Sequence, residues 1–351
     1  MSLNKIKIQV NARNRSHNFE AALGEKLLDA GLSNAVNLPY ECGSGTCGTC
    51  KARIISGKLK NLWPEAPGNK FVKPKKGEFL MCQCSAASDV VIEVGSFVPT
   101  MEAGACVPSS MTGIVSSTKQ LTSDVMSVFI ELEQPLDFDA GQFMLLKFPE
   151  VEGFRGWSMV NYEQKTKTLE FVIKKKPDGI LSDQLFSKNC TGQEVELFGP
   201  LGSATFYSNL TKNILCIAGG SGIAGIMSIL SRAEQDGYFT QYKGYVFFGV
   251  RTALDAFFLD ELSKFKESSG DNLKIVIAFS EDSDAKDLQS KYPLLDFDEG
   301  FIHEVTERYM EGKFDKIRAY IAGPTPLVNG SIGMLLKSRV STDDIRYDKF
   351  S

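Results

Sequence analysis

The sequence predicts a chain of three domains that belong to three different fold classes. With 351 residues it is too long for one ordinary hydrophobic core, and 43% hydrophobic and 23% charged residues are typical of a globular protein. Residues 1–97 are patterned as a small α+β domain, residues 111–208 as an antiparallel β-barrel, and residues 209–351 as a doubly wound α/β domain with a parallel sheet. Residues 98–110 contain two prolines and no periodicity, which predicts a linker.

The first domain is predicted from a few short elements around a long loop. The sequence EKLLDAGL at 25–32 predicts a short helix that ends at Gly31. A loop rich in glycine, hydroxyl residues and cysteine follows between Pro39 and Cys50. Apolar and polar residues alternate in three predicted strands, at 5–10, 51–57 and 89–95.

The other two domains differ in how their strands are connected. In the second, short strands are separated by turn residues, which favours a barrel; they lie at 112–121, 125–133, 141–148, 168–176 and 194–200. In the third, continuous apolar strands alternate with helices, which favours a parallel sheet covered on both faces. These strands lie at 213–219, 245–250, 273–280 and 319–324, and the helices at 223–237, 256–265 and 301–310.

Composition excludes several classes of function. The net charge of −4 argues against a nucleic-acid surface. The only two histidines, His17 and His303, lie far apart and are expected to be ordinary surface or capping residues. A Rieske cluster, a histidine–carboxylate iron site or a Ser-His-Asp triad is therefore hard to build. The N-terminus lacks a secretory signal and the most apolar window, 214–230, is short for a membrane span, so we expect a cytoplasmic protein without membrane insertion.

The sequence ECGSGTCGTC at 41–50 predicts a metal centre. Its cysteines have the spacing C-x4-C-x2-C, and a fourth follows in LMCQCSA, which is the plant-type [2Fe–2S] pattern. Glycines between them let the backbone approach the sulfurs and donate N–H groups, and Ser44 and Thr46 would add hydroxyl donors. Zinc is the alternative metal, although it usually takes two C-x2-C pairs. The predicted ligands are Cys42, Cys47, Cys50 and Cys82, with Cys84 as the rival for the fourth position.

The segment LPYECGSGTCGTCKARIISG is similar to the N-terminal plant-type ferredoxin domain, a β-grasp fold, of flavin-dependent oxygenase reductases. These are the electron-supplying components of bacterial methane, toluene/xylene and phenol monooxygenases and of benzoate dioxygenase. The resemblance implies an FAD-binding barrel and an NAD-binding domain in the rest of the chain. FAD rather than FMN follows from this resemblance and not from individual residues.

The sequence RGWS at 155–158 resembles the Arg-x-Tyr-Ser flavin motif of the ferredoxin–NADP reductase superfamily. Arg155 would bind the pyrophosphate, Trp157 would stack on the flavin ring in place of the more usual tyrosine, and Ser158 would place a hydroxyl at the reacting edge. Ser158 is therefore one of two predicted catalytic residues. Gly156 completes the motif as a cofactor contact.

The sequence LEFVIKKKPDGILSDQLF at 169–186 resembles the family's strand, turn and helix that hold the pyrophosphate at a helix N-terminus. GPLGSATF at 199–206 matches the exit from the flavin domain. The predicted flavin contacts in the strand and at the helix start are Ile173, Lys174, Gly179, Ile180, Leu181 and Ser182.

AGGSGIAG at 218–225 follows a buried strand and opens a helix, and it resembles the family's glycine-rich nicotinamide turn. Ser221, the second predicted catalytic residue, stands where the family has threonine. In AYIAGPTPLV at 319–328, Ala322 replaces the family's cysteine, so hydride transfer would rely on alignment alone. The predicted cofactor contacts here are Gly220, Ser221, Gly222, Gly249, Arg251, Gly323 and Pro324.

Two further residues carry more specific expectations. Asp255 would accept hydrogen bonds from a free ribose and repel a 2′-phosphate, which favours NADH over NADPH. Phe350, in the C-terminal IRYDKFS, resembles a terminal aromatic residue near the flavin ring, and the alternative is that this chain end only completes the sheet.

Taken together, these features predict an NADH-dependent reductase that sends single electrons from FAD through a [2Fe–2S] cluster to an oxygenase or hydroxylase partner docking at the ferredoxin domain. Movement of that domain on its linker is a further hypothesis. Two alternatives remain open: the same electron chain feeding another system, such as sugar deoxygenation, and a non-enzymatic carrier with an inactive flavin fold.

Overall fold

The structure of the protein is a computed structural model that describes residues 5–177, 179–281 and 284–350. Its N-terminal domain has strands β1 (Lys5–Asn11), β2 (Ser16–Ala22), β3 (Lys51–Ser56), β4 (Leu59–Asn61), β5 (Glu78–Leu80), β6 (Cys84–Ala86) and β7 (Val90–Glu93). Five form one sheet in the order β2-β1-β7-β3-β5, in which only β1 and β7 pair in parallel, and β4 pairs with β6. Helix α1 (Leu27–Ser33) covers the sheet and contacts the turn that carries Cys82.

Strands β2, β4, β5 and β6 were not predicted, and two residues of this domain also differ from expectation. The helix continues through Gly31 to Ser33. A Cβ at position 31 would come within 2.2 Å of the Leu38 side chain, so this glycine allows close packing and does not end the helix. His17 is not a surface or capping residue. It is buried on β2, and its Nε2 lies 2.9 Å from the Val98 carbonyl oxygen, which ties the sheet to the segment after β7.

The second domain is the predicted antiparallel barrel. Its strands are β8 (Ser109–Gln120), β9 (Val125–Leu136), β10 (Phe143–Lys147), β11 (Arg155–Ser158), β12 (Thr166–Lys174) and β13 (Glu194–Leu201). They pair in the order β11-β10-β13-β8-β9-β12, and a bridge between Met159 and Phe171 joins the two ends of the sheet. Helix α2 (Ile180–Ser187) follows β12.

The third domain is the predicted parallel α/β domain. Its strands are β14 (Asn213–Gly219), β15 (Gly244–Val250), β16 (Leu273–Phe279), β17 (Asp296–Glu299), β18 (Ile317–Pro324) and β19 (Ile345–Phe350). Its helices are α3 (Ile223–Gln235), α4 (Leu259–Ser269), α5 (Lys286–Lys291), α6 (Ile302–Met310) and α7 (Thr325–Lys337). All neighbours in the order β17-β16-β15-β14-β18-β19 are parallel, so the direction of winding reverses beside β14 and opens a crevice at the carboxyl ends of β14 and β18.

The hydrophobic cores run across the domain junctions. The core of the N-terminal domain continues into four side chains of the barrel, namely Phe143, Leu145, Phe198 and Leu201. A second core joins the barrel to one face of the parallel sheet, and a third lies on the other face of that sheet. Because packing extends through both junctions, the functional side chains at these junctions are held in fixed relative positions. Among the residues described, no helix is both long and apolar enough to cross a membrane.

Candidate functional site

The four predicted cluster ligands lie together as two pairs of thiols. Cys42 hydrogen-bonds to Cys47, and the sulfurs of Cys50 and Cys82 are 3.1 Å apart. Among the described residues, no group of three or more histidine, cysteine or acidic side chains is arranged around a single ion. Two pairs of thiols suit a cluster of two irons, each of which takes two cysteine ligands, better than one tetrahedral zinc ion.

Hydrogen-bond donors surround these sulfurs. The backbone N–H of Thr49 lies 3.5 Å from the Cys47 sulfur, and Gln83 Nε2 lies 3.5 Å from the Cys82 sulfur. Thr46 also hydrogen-bonds to Cys42, as the sequence predicted for its hydroxyl group. The loop can present its backbone this closely because Gly43, Gly45 and Gly48 have φ angles of 62°, 91° and 79°. Donors of this kind offset the negative charge of thiolates and bridging sulfides.

The remaining cysteines are placed differently. Cys84 is buried on β6, and burial raises the pKa of its thiol to about 12, which keeps it neutral. Cys216 is fully buried in β14 and packs as a small core residue. None of the eight cysteines is in a disulfide.

A cavity of about 550 Å³ lies between residues 41–50, which we call the cysteine loop, and the barrel. Cys42, Ser44 and Thr46 line one side of it. The other side consists of residues that the flavin motifs predicted, namely Arg155, Gly156, Trp157, Ile173, Lys174, Gly179, Ile180, Leu181 and Ser182. A cofactor in this cavity would therefore lie directly against the cysteine loop.

The RGWS motif forms β11, a strand that the sequence did not predict, paired with β10. This pairing presents Trp157 to the cavity, where it packs edge-on against Phe148 with ring centroids 6.3 Å apart. Arg155 Nη1 donates to the Gly153 carbonyl at 2.8 Å, which orients the guanidinium along the cavity wall. Ser158 is 4% exposed, and its hydroxyl has no hydrogen-bond partner among the described residues. Such a buried, unpaired hydroxyl suits a ligand that would hydrogen-bond to it.

At the start of α2, Ser182 organises the turn. Its hydroxyl donates toward the carbonyls of Gly179 and Lys176 and accepts from the N–H of Lys176. The helix start is thereby held open toward the cavity, with the first N–H groups of the helix available for an anion. These donors fit the pyrophosphate of a dinucleotide.

A larger cavity, of about 1110 Å³, occupies the crevice at the carboxyl ends of the parallel strands. Six of the predicted nicotinamide contacts line it, namely Gly220, Ser221, Gly249, Arg251, Asp255 and Pro324. Gly222 and Gly323, which are also predicted contacts, are not among the lining residues and pack where β14 and β18 meet. A Cβ on Gly222 would come within 2.3 Å of the Ala322 carbonyl oxygen, so only glycine lets the turn after β14 pack against β18.

The two cavities meet at β12. Lys174 and Pro177 line both of them, and a Cβ on Gly225 would lie only 3.5 Å from the Cβ of Ser158. The glycine-rich turn of the third domain thus lies directly against the RGWS strand of the second. Dinucleotides in the two cavities would have their reactive ends at this junction.

Charges in the larger cavity are mostly paired. Asp255 Oδ2 accepts from the N–H and hydroxyl of Thr252 at 3.0 and 2.9 Å, and Arg251 lies 3.4 Å from Oδ1. Burial alone would raise the pKa of Asp255, but these hydrogen bonds and the Arg251 charge lower it below its ordinary value. Asp124 adds a second carboxylate, paired with Lys174 at 3.0 Å. The Asp255 carboxylate is therefore ionised beside the Arg251 guanidinium.

Several lining residues were not predicted because they come from distant parts of the sequence. His303 and Phe301, whose rings stack 6.1 Å apart, line the larger cavity, so His303 is not the ordinary surface residue that the sequence suggested. Asp348 and Lys349, on β19, line the smaller one. The backbone of Phe350 pairs with Pro324, whereas its side chain lies outside the described residues.

Comparison with protein families assigns a cofactor to each domain. Residues 10–87 match the family described as 2Fe-2S iron-sulfur cluster binding domain, residues 112–206 match the oxidoreductase FAD-binding domain, and residues 216–331 match the oxidoreductase NAD-binding domain. The chain thus has binding domains for a [2Fe–2S] cluster, FAD and NAD. Three such domains in one chain define an iron–sulfur flavoprotein oxidoreductase.

Two individual relatives are similar to this chain over nearly its whole length. The chain is 33% identical to a ferredoxin–NAD(P)+ reductase, CarAd, of Metapseudomonas resinovorans, over 93% of this chain and 95% of that protein. It is 27% identical to the xylene/toluene monooxygenase electron transfer component XylA of Pseudomonas putida, over 97% and 93%. The chain therefore belongs to the family of ferredoxin–NAD(P)+ reductases built from these three domains.

Solved structures give the same result for the fold. The ferredoxin reductase in carbazole 1,9a-dioxygenase superposes with a TM-score of 0.82 at 30% identity, covering 99% of both chains. An Amycolatopsis cytochrome P450 reductase, GcoB, superposes with a TM-score of 0.80 at 24% identity, covering 98% of both chains, and so supports the three-domain fold.

Proposed function

We propose that this reductase takes electron pairs from NADH and delivers them one at a time, through its N-terminal domain, to an oxygenase or hydroxylase component. The observation that carries the proposal is the order of the two cavities. The larger cavity adjoins the smaller one at Lys174 and Pro177, and the smaller one ends at Cys42. Electrons that enter at the nicotinamide site therefore have one short direct route to the cysteine loop.

The residues present fit the three cofactors. When bound, FAD supplies the exchange between two-electron and one-electron transfer that NADH and a [2Fe–2S] cluster cannot make directly. Trp157 provides a flat apolar face, and Arg155 and the start of α2 provide charge and N–H groups for the pyrophosphate. Ser158 is not among the residues that line either cavity, but its buried hydroxyl, at the end of β11, has no partner among the described residues. The four ligands Cys42, Cys47, Cys50 and Cys82 would hold the cluster.

On the nicotinamide side, the chain mainly orients its substrate. Gly219 and Gly220 line the crevice without side chains, and Ser221 lines it with a hydroxyl group. We propose Ser158 and Ser221 as the two hydroxyls that align the reacting rings. Since hydride transfer needs alignment and not a general acid or base, the absence of a thiol at Ala322 is compatible with activity.

The acidic groups of the larger cavity support a preference for NADH. A 2′-phosphate placed near Asp255 and Asp124 would meet two carboxylates, whereas a free ribose diol could donate to them. Arg251, the nearest guanidinium, is already shared between these two carboxylates. We therefore propose that NADPH is the poorer substrate.

The partner is proposed from the relatives. CarAd and XylA are named for reductase and electron-transfer roles, XylA in a monooxygenase system, and a further relative is the reductase component of propane 2-monooxygenase in Mycolicibacterium goodii. We infer that an oxygenase component docks at the N-terminal domain, where the cysteine loop lies. The unpaired cysteines suit a reducing, cytoplasmic setting.

The proposed domain limits are 1–97, 98–110, 111–208 and 209–351. The first sheet ends with β7 at Glu93, the barrel begins with β8 at Ser109, and β14 begins the parallel sheet at Asn213. Part of the proposed linker is packed, since Thr100 bridges to Val36 and Val98 is buried.

An anaerobic titration with NADH tests the function. We expect the flavin absorbance to bleach first and the cluster absorbance to follow, with an electron paramagnetic resonance signal from the reduced cluster. Reduction of the flavin with a cluster that stays oxidised would contradict the proposal, because the electron path would then end before the exit domain. Equal kcat/KM values for NADH and NADPH would contradict the proposed preference alone.

A further inference from the structure

The cysteine loop has two ends that face different surroundings. Cys42, Ser44 and Thr46 line the smaller cavity, and Gly43 packs against Leu145 of the barrel, so this end faces the flavin site. The other end lies under residues 70–76, with the sequence KFVKPKK, which we call the lysine segment. The ring of Phe71 lies so close to Gly48 that a Cβ there would come within 2.6 Å of it.

The lysine segment is held against the cysteine loop by backbone and side-chain contacts. The N–H of Gly68, in the 3-10 turn Pro67–Phe71 that leads into the segment, donates to the Gly45 carbonyl at 2.8 Å. Pro67 and Pro74 each begin a 3-10 turn, which restricts the backbone on both sides of Phe71. The segment therefore presents its side chains in a defined arrangement beside the loop.

The side chains of the segment are strongly basic and exposed. Four lysines occur in seven residues without an acid, in a chain whose net charge is −4, and all four are exposed. Among the described residues, none of the four ammonium groups has a carboxylate within 4.0 Å. The nearby Glu78 carboxylate accepts from the backbone N–H of Lys73 at 2.8 Å and pairs with Lys51 at 3.7 Å. Phe71 is 49% exposed at their centre, with Lys70 Nζ 5.0 Å from its ring. The four lysines are Lys70, Lys73, Lys75 and Lys76.

We propose that the lysine segment is the surface on which the electron acceptor docks, and that the acceptor presents an acidic patch around its redox centre. This rests on the proposed function and names the kind of surface that its partner offers. An exposed aromatic side chain surrounded by unpaired cations has the anatomy of a transient interface with an apolar centre and a charged rim. Unpaired surface charges of one sign accelerate the encounter with an opposite patch, by about 10 to 1000-fold at low salt.

The position of the segment supports a protein acceptor over an anionic membrane. The lysine segment lies on the end of the cysteine loop opposite to the one that lines the flavin cavity. An electron that enters from the flavin would leave the loop at this end. Electrons can then enter the loop beside Cys42 and leave beside Phe71 while the N-terminal domain stays packed on the barrel. Binding to a lipid surface would not require the lysines to lie next to the cysteine loop.

The test uses the holoprotein with NADH and two haem-protein probes of opposite charge, acidic cytochrome b5 and basic cytochrome c. In the test variant, Lys70→Glu, Lys73→Glu, Lys75→Glu and Lys76→Glu are combined. A control variant of equal net charge combines changes at four exposed lysines of the third domain that line neither cavity: Lys264→Glu, Lys291→Glu, Lys313→Glu and Lys337→Glu. A third variant, which combines Lys70→Gln, Lys73→Gln, Lys75→Gln and Lys76→Gln, keeps the test valid if the charge-reversed variant misfolds.

We expect the test variant to reduce cytochrome b5 at least about tenfold more slowly at low ionic strength and cytochrome c faster, with the glutamine set intermediate and the control variant unchanged. Reduction of flavin and cluster by NADH should be the same in all four proteins. Equal cytochrome b5 rates in the test and control variants would overturn the docking surface. So would lysine-dependent binding to phosphatidylserine vesicles with unchanged cytochrome b5 reduction. Failure of NADH to reduce the cluster in the unmodified protein would instead overturn the proposed function.

Discussion

The phenol oxygen of Tyr40 accepts a hydrogen bond from the backbone N–H of Gly202 at 2.9 Å, across 162 positions of sequence. Tyr40 lies directly before the cysteine loop, and Gly202 follows the last strand of the barrel. Burial raises the pKa of the Tyr40 phenol to about 12, so it stays neutral at all working pH values. With Gly43 packed on Leu145, this bond fixes the loop against the wall of the smaller cavity.

We predict that Tyr40→Phe slows electron transfer from flavin to cluster while leaving reduction of the flavin by NADH unchanged. Loss of the acceptor leaves the partly buried Gly202 N–H unpaired, at a cost of about 1–3 kcal/mol, and loosens the contact between loop and barrel. Stopped-flow absorbance separates the two steps. The control is Tyr292→Phe, which removes a comparable bond to Asp260 within the third domain and should lower stability without slowing the cluster step.

A second prediction distinguishes the two candidates for the fourth cluster ligand. Cys82→Ala should remove the cluster absorbance and iron while flavin absorbance and ferricyanide reduction remain, because Cys82 pairs with Cys50 at 3.1 Å. Cys84→Ala should keep the cluster and lose only about 1 kcal/mol of stability, since it shortens one buried side chain. Iron analysis and visible spectra of the two purified variants decide between them. An intact cluster in Cys82→Ala would reverse the assignment.

Much of the fold could be predicted because its strands are buried in a regular way. Strands β14 and β16 are nearly all apolar, as strands covered on both faces must be, and β1 alternates. Strands β11 and β17 have four residues each, too few for a period to be recognised.

The site could be predicted only where a motif is local. The cysteine loop and the RGWS and glycine-rich segments lie at the cavities because each is a continuous stretch. Asp124, His303 and Asp348 could not be found this way, since each reaches its cavity only when distant segments pack together. The Tyr40–Gly202 bond is of the same kind.

A third prediction concerns the choice of nicotinamide cofactor. Asp255→Asn should raise kcat/KM for NADPH relative to NADH by about tenfold, because it removes one negative charge from the cavity while the amide oxygen still accepts from Thr252. Since the pKa of Asp255 lies below its ordinary value, the carboxylate stays charged and the preference of the unmodified protein should not change between about pH 6 and 9. Asp287→Asn, an exposed charge outside the cavity, is the control. An unchanged ratio in Asp255→Asn would assign the preference to other residues.

The last prediction concerns the unpaired hydroxyl of Ser158. Ser158→Ala should slow flavin reduction by NADH about tenfold, as expected for losing one hydrogen bond of about 1.4 kcal/mol at the reacting edge, with little change in thermal stability, because no bond among the described residues is lost. Ser228→Ala is the matched control. Its buried hydroxyl accepts from the N–H of Gly141 and donates to the carbonyl of Gly225, both at 2.8 Å, so this variant should lose stability and keep its rate. Stopped-flow kinetics and thermal unfolding of both variants measure the contrast, and a Ser158→Ala protein that is less stable but equally fast would make Ser158 a structural residue.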